Sequence, residues 1–115
     1  MSDGPKADVV DLLGDEYVRT ILTETRARPQ SVDALSDACD ADPSTIYRRV
    51  ERLEEAGLLT PNQRLDPGGH HYKEYGATLE AVHVYIETEG FDVELDRTAD
   101  EDPADRFTRL YEGFK

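Results

Sequence analysis

The chain is 115 residues long, 37% hydrophobic and 34% charged, with 26 acidic residues against 13 Lys and Arg for a formal net charge of −13. That is one domain's worth of chain, able to bury roughly 65% of its surface without staples. A single cysteine excludes an internal disulfide; with no stretch approaching the ~18 apolar residues of a membrane span, and a polar start at Met1-Ser2-Asp3-Gly4 unlike a signal peptide, a soluble cytoplasmic protein is expected.

Where the charge sits matters more than its sum. Residues 1–42 hold 4 basic and 10 acidic residues, and residues 74–115 hold 4 and 12, whereas residues 43–73 hold 5 and 4. The middle third alone is not acidic, as a DNA-contacting face on an acidic body would require. The acids are 14 Asp and 12 Glu, and the bases are 10 Arg and only 3 Lys. That bias resembles proteins of haloarchaea, whose cytoplasm holds molar salt. There the screening length falls to ~3 Å, so binding rests on short-range contacts, which suit Arg better than Lys.

Residues 1–7 are polar and expected to be disordered. From Asp8, Val9, Val10, Leu12 and Leu13 begin an apolar face that Tyr17, Val18, Ile21 and Leu22 continue to about Arg26. Gly14-Asp15 offers a break, with Asp15 placed to cap a second, longer helix, and Pro29 closes the run. Core and dimer contacts are expected of this region.

Residues 31–58 read as two helices and a tight turn. Ser31 suits an N-cap, and Val32, Leu35, Ala38 and Cys39 recur on one helical face. Asp40-Ala41-Asp42-Pro43 breaks the pattern; Asp42 suits the next N-cap and Pro43 the first helical position. Ile46, Val50 and Leu53 then form an inward stripe that ends at Ala56-Gly57. Helix, short turn and helix is the shape of a helix-turn-helix. Ser44, Thr45, Arg48 and Arg52 point away from that stripe, with Tyr47 and Arg49 on its flanks. Arginine can grip guanine edges or phosphates, and hydroxyls at a helix N-terminus can approach phosphates. The same arginines, alternating with Glu51, Glu54 and Glu55, also suit a solvated, salt-bridged face.

The segment DPSTIYRRVERLEEAGLLT resembles the recognition helix of archaeal winged helix-turn-helix regulators of the ArsR-like kind. Ser44-Thr45-Ile46-Tyr47-Arg48-Arg49, Leu53 and Glu55-Ala56-Gly57-Leu58 carry the likeness, which spans roughly residues 8 to 75. It implies a three-helix core, a β-wing and a homodimer bound to double-stranded DNA.

Leu58 to Leu65 reads as a strand, with Pro61 marking an edge. Asp66-Pro67-Gly68-Gly69 predicts a type II turn with its positive φ at Gly68, and His70 onward returns as a second strand. Arg64, His70, His71 and Lys73 cluster at the tip of this hairpin. In the resembling regulators such a wing lies along the phosphate backbone or dips into the minor groove. The apolar phase then switches from Tyr75, Ala77 and Leu79 to Val82, Val84 and Ile86, which predicts a bulge or break near Glu80-Ala81. Glu87-Thr88-Glu89-Gly90 turns the chain into a further strand through Phe91, Val93 and Leu95. After a charged linker, Asp102-Pro103 starts a helix striped by Phe107, Leu110, Tyr111 and Phe114, which must dock on its own domain or across a dimer axis.

The expected class is therefore α+β: a winged helix-turn-helix over 8–97 with an extra hairpin, and a linker and docking or dimerisation helix over 98–115. No catalytic pattern, cofactor loop or metal-ligand spacing is present, and adjacent His70 and His71 on a strand cannot readily share an ion. Cys39 suits a small buried hydrophobe, with a redox role as its alternative. DNA-binding regulation is the expected function, and a winged-helix assembly module that meets protein is the competing one.

Overall fold

The computed structural model describes residues 4–98, so the expected linker and C-terminal helix lie outside the described residues. Four helices precede two hairpins: α1 (Gly4–Leu13), α2 (Glu16–Ala27), α3 (Val32–Cys39), α4 (Pro43–Glu55), β1 (Leu59–Leu65), β2 (His71–Ala77), β3 (Leu79–Glu87) and β4 (Gly90–Arg97). β1 pairs with β2, and β3 with β4, both antiparallel, as two separate two-stranded sheets. The α+β winged-helix architecture is as expected, with a four-helix rather than three-helix body. α1 begins at Gly4, so residues 4–7, expected to be disordered, are helical.

The break at Gly14-Asp15 falls where its residues put it. Asp15 takes an extended conformation, and its carboxylate accepts from the Tyr17 and Val18 amides, supplying the orphan donors of the first turn of α2. Ser31 does the same for α3 through the Ala34 amide. On α3 one expectation is corrected: Ala38 is exposed, and Ser36 is buried with Leu35. The inner face is turned toward Ser36 because its hydroxyl donates to the Ala41 carbonyl, so its burial strands no polar group.

The turn of the motif is made at Asp40, in the left-handed conformation (φ 53°, ψ 50°), with its amide and that of Ala41 returning to the last carbonyls of α3. Asp is one of the few non-glycine residues that visits this region routinely. Asp42 heads α4 without a side-chain cap bond. At the far end Gly57 (φ 78°) stops the helix, and the Leu58 amide reaches back to the Leu53 carbonyl at 2.8 Å.

Val9, Leu12, Val18, Ile21, Leu35, Ile46, Val50, Leu53 and Leu58 are all at most 2% exposed and form one core, with Leu59, Tyr75 and Leu79 joining from the strands. One element went unread in the sequence: Gln30 forms an isolated bridge with Tyr75, exchanging both backbone hydrogen bonds (3.0 and 2.7 Å). It fastens the base of the first hairpin beside the start of α3.

The first hairpin's turn differs from expectation. The positive φ is at Gly69 (87°), not Gly68; the Gly69 amide donates to the Asp66 carbonyl and the Asp66 amide to that of His70. This is a type I turn followed by a left-handed glycine, whose twist matches that of the strands. The predicted irregularity at Glu80-Ala81 is present as a register shift between Leu79 and Ala81. It lets Leu79 stay in the core while Val82, Val84 and Ile86 pair across with Leu95, Val93 and Phe91 on one face.

Candidate nucleic-acid interface

The inner stripe of α4 (Ile46, Val50, Leu53) is fully buried, which fixes what its other side presents. Ser44, Tyr47, Arg48 and Arg52 are exposed and Thr45 is half-buried at the rim. Arg48 and Arg52 make no ion pair or hydrogen bond among the described residues. A salt-bridged solvent face would have tied these arginines to Glu51 or Glu55; among the described residues no such pair forms.

Arg49 does something else. Its Nε donates to Asp15 Oδ2 at 2.8 Å, its Nη1 to the Thr45 carbonyl at 3.1 Å, and its guanidinium lies 5.0 Å from the centre of the Tyr17 ring. The sequence grouped Arg49 with the DNA-contacting set; the structure turns it inward as a brace between α4 and the start of α2. Burial pushes the Asp15 carboxyl upward, but the Arg49 hydrogen bond, the Tyr17 and Val18 amides and the Arg49 charge outweigh it, and its pKa ends below the usual value. A carboxyl lowered in the folded state stabilises above its unfolded pKa and stops doing so as pH falls through the folded one. Asp15→Ala is therefore expected to cost ~0.5–2 kcal/mol at neutral pH through the lost cap. The gap between the variant and wild type in thermal melts should close below about pH 4.

The wing residues divide between two faces. Strand alternation puts Leu65, His71, Lys73 and Tyr75 on one side, and Arg64, Tyr72 and Glu74 on the other. Tyr75 is buried, and its hydroxyl feels first that burial and then the charges of Glu54, Tyr47 and Glu51, which raise its pKa. The His71–Lys73 face is thus the one turned to α4. Arg64, on the opposite face, is paired with Glu74 at 3.0 Å across the strands. His70 sits in the turn, its amide bonded to Asp66 and its ring 3.6 Å from the same carboxylate. Of the four predicted wing residues, exposed Lys73 and His71 share the strand face of buried Tyr75; Arg64 and His70 do not.

The exposed Tyr72 (41%) and the Arg97 guanidinium, whose Nε donates to the Gly57 carbonyl at 3.3 Å, were not singled out in the sequence. Arg97 brings a positive charge to the C-terminal end of α4, where the helix dipole favours it. Only the register of the second hairpin places it there, and no local pattern signals that.

Cys39 is half-buried, and its thiol faces the Tyr17 carbonyl at 3.9 Å. Burial first, then the charge of Glu24, raises its pKa, which leaves little thiolate for oxidation. Cys39→Ser is expected to leave DNA affinity unchanged with and without peroxide; a peroxide response that the variant lacks would make the thiol a sensor.

Among the described residues, no three His, Cys, Asp or Glu side chains converge to hold a metal, and no helix is long and apolar enough to cross a membrane. No curated protein matches the chain. Residues 13–62, from the last residue of α1 through α2, α3 and α4 into β1, match the family model of a helix-turn-helix domain.

Proposed function

We propose that this protein is a sequence-specific transcriptional regulator of the ArsR-like kind, not an enzyme, that binds double-stranded DNA as a homodimer in a haloarchaeal cytoplasm. The observation that carries the reading is the outer face of α4: Arg48 and Arg52 exposed and unpaired among the described residues, with Ser44 and Thr45 at its N-terminus, and exposed Lys73 on the Tyr75 face of the wing. In this reading α4 enters the major groove, Arg48 reads a base edge, and Ser44, Thr45, Tyr47 and Arg52 share base and phosphate contacts. Lys73 and His71 lie along the backbone. The homodimer is supported by the tip of the second hairpin, where Ile86 (79% exposed) and Phe91 (62%) form a cross-strand apolar pair that a lone protomer leaves in water.

The deciding experiment is an anisotropy titration of the protein against sheared haloarchaeal DNA in molar KCl, followed by selection of bound sequences. Enrichment of one two-fold symmetric site establishes the regulator. A folded protein that binds no DNA at any salt concentration makes the chain a protein-interaction module. Lys73→Ala is expected to weaken all sequences alike and to reduce the salt slope by about 1. A sequence-selective loss would move Lys73 to a base-reading role.

A further inference from the structure

Beside the base of the second hairpin an open groove of about 430 Å³ runs between α2 and β3, lined by Leu13, Leu22, Leu79, Ala81 and Val82, with Arg26 and Glu80 paired at its rim. It is an apolar channel on a strongly acidic protein, and nothing among the described residues covers it. The chain leaves the described structure at its mouth. The Thr98 amide donates to the Thr78 carbonyl at 2.8 Å, one residue before Leu79, and Arg26 donates to the Thr98 hydroxyl at 3.1 Å.

We propose that this groove is the docking site of the chain's own residues 103–115. Seventeen residues follow Thr98: four form an acidic linker, and the rest carry Phe107, Leu110, Tyr111 and Phe114 at i, i+3, i+4 and i+7. Four linker residues reach at most ~14 Å, enough to turn the chain back over the groove it has just passed and too little to carry it to a remote face. In a helix the stripe from Phe107 to Phe114 extends ~10 Å, and it is aromatic and apolar like the lining. The charges agree as well. Residues 79–97 hold six acids and one Arg, whereas residues 103–115 hold Arg106, Arg109 and Lys115 against Asp105 and Glu112. Tethering to Thr98 raises the segment's local concentration to the millimolar range, so cover from within the chain outcompetes cover from another molecule.

The test is cross-linking in the full chain on a Cys39→Ser background. Thr23→Cys places a thiol on the exposed rim of the groove, and Phe107→Cys, Leu110→Cys or Phe114→Cys is added one at a time. A short bismaleimide is expected to join at least one pair within a single chain, while Asp37→Cys on α3 with the same partners gives no more than background. Cross-links at dimer mass put a second copy in the groove and overturn the proposal. So does the absence of any cross-link when both thiols label with a monofunctional maleimide. As an independent readout, Leu110→Asp is expected to raise binding of an apolar fluorescent dye several-fold with the helix signal of the body retained. Unchanged dye binding also overturns it. DNA binding plays no part in either readout, so the result stands apart from the regulator reading.

Discussion

Arg48→Ala is expected to weaken binding to the protein's preferred site by ~1–3 kcal/mol, roughly 5- to 150-fold, and to flatten its preference at one base pair. Three features single out this arginine. It lies one turn into α4 from Ser44 and close to the helix N-terminus, the part of a recognition helix that approaches base edges most closely. It is exposed and makes no ion pair among the described residues, so no internal bond must break before it reaches a base. At molar salt the long-range field of the acidic body is screened within ~3 Å, which leaves bidentate short-range contacts as the source of discrimination. Arg52, a turn further along and farther from the helix N-terminus, should show a smaller effect. Folding stability should shift by no more than ~0.5 kcal/mol, as for most exposed sites. Competition titrations with single-base variants of the selected site measure the outcome. Equal losses on every variant would make Arg48 a phosphate contact.

Most of the fold was legible because it is written in short-range patterns. The cap at Asp15, the proline start and glycine stop of α4, the alternation of the wing and the phase switch at Glu80-Ala81 each need only a few neighbouring residues. The misreadings have a common cause in tertiary geometry. At 100° per residue Arg49 lies only about 60° from Ile46, close to the core stripe. Composition grouped it with Arg48, yet that angle and the free Oδ2 face of the capping Asp15 carboxylate, which accepts its Nε, turn it inward. Arg64 and Lys73 look like one basic tip in the sequence, but the register of the hairpin sends them to opposite faces. The Gln30–Tyr75 bridge joins residues 45 positions apart, and no local pattern announces it. The outward face expected for α4 is therefore exposed at its centre, at Ser44, Arg48 and Arg52, and the grouping blurs at its edges, where the neighbours come from other elements.

Leu53→Ala is expected to cost ~2–5 kcal/mol of folding stability, the range for truncating a buried leucine whose surroundings close only partly over the cavity. Leu53 is fully buried in the cluster that holds Ile46, Val50, Leu35 and Leu58. It also precedes the glycine stop, its carbonyl accepting the Leu58 amide that swings the chain from α4 into β1. The loss is a large share of the ~5–15 kcal/mol that holds a domain of this kind, so urea unfolding in molar KCl should show a clear drop in midpoint. The side chain lies on the face of α4 opposite Arg48, so the folded fraction should bind the selected site with near-normal affinity. Leu53→Ala and Arg48→Ala thus separate the two duties of one helix: the first loses stability and keeps recognition, the second the reverse. A loss below about 1 kcal/mol for Leu53→Ala would show that α4 is not anchored through this side chain, and an affinity loss in the folded fraction would tie recognition to the packing beneath it.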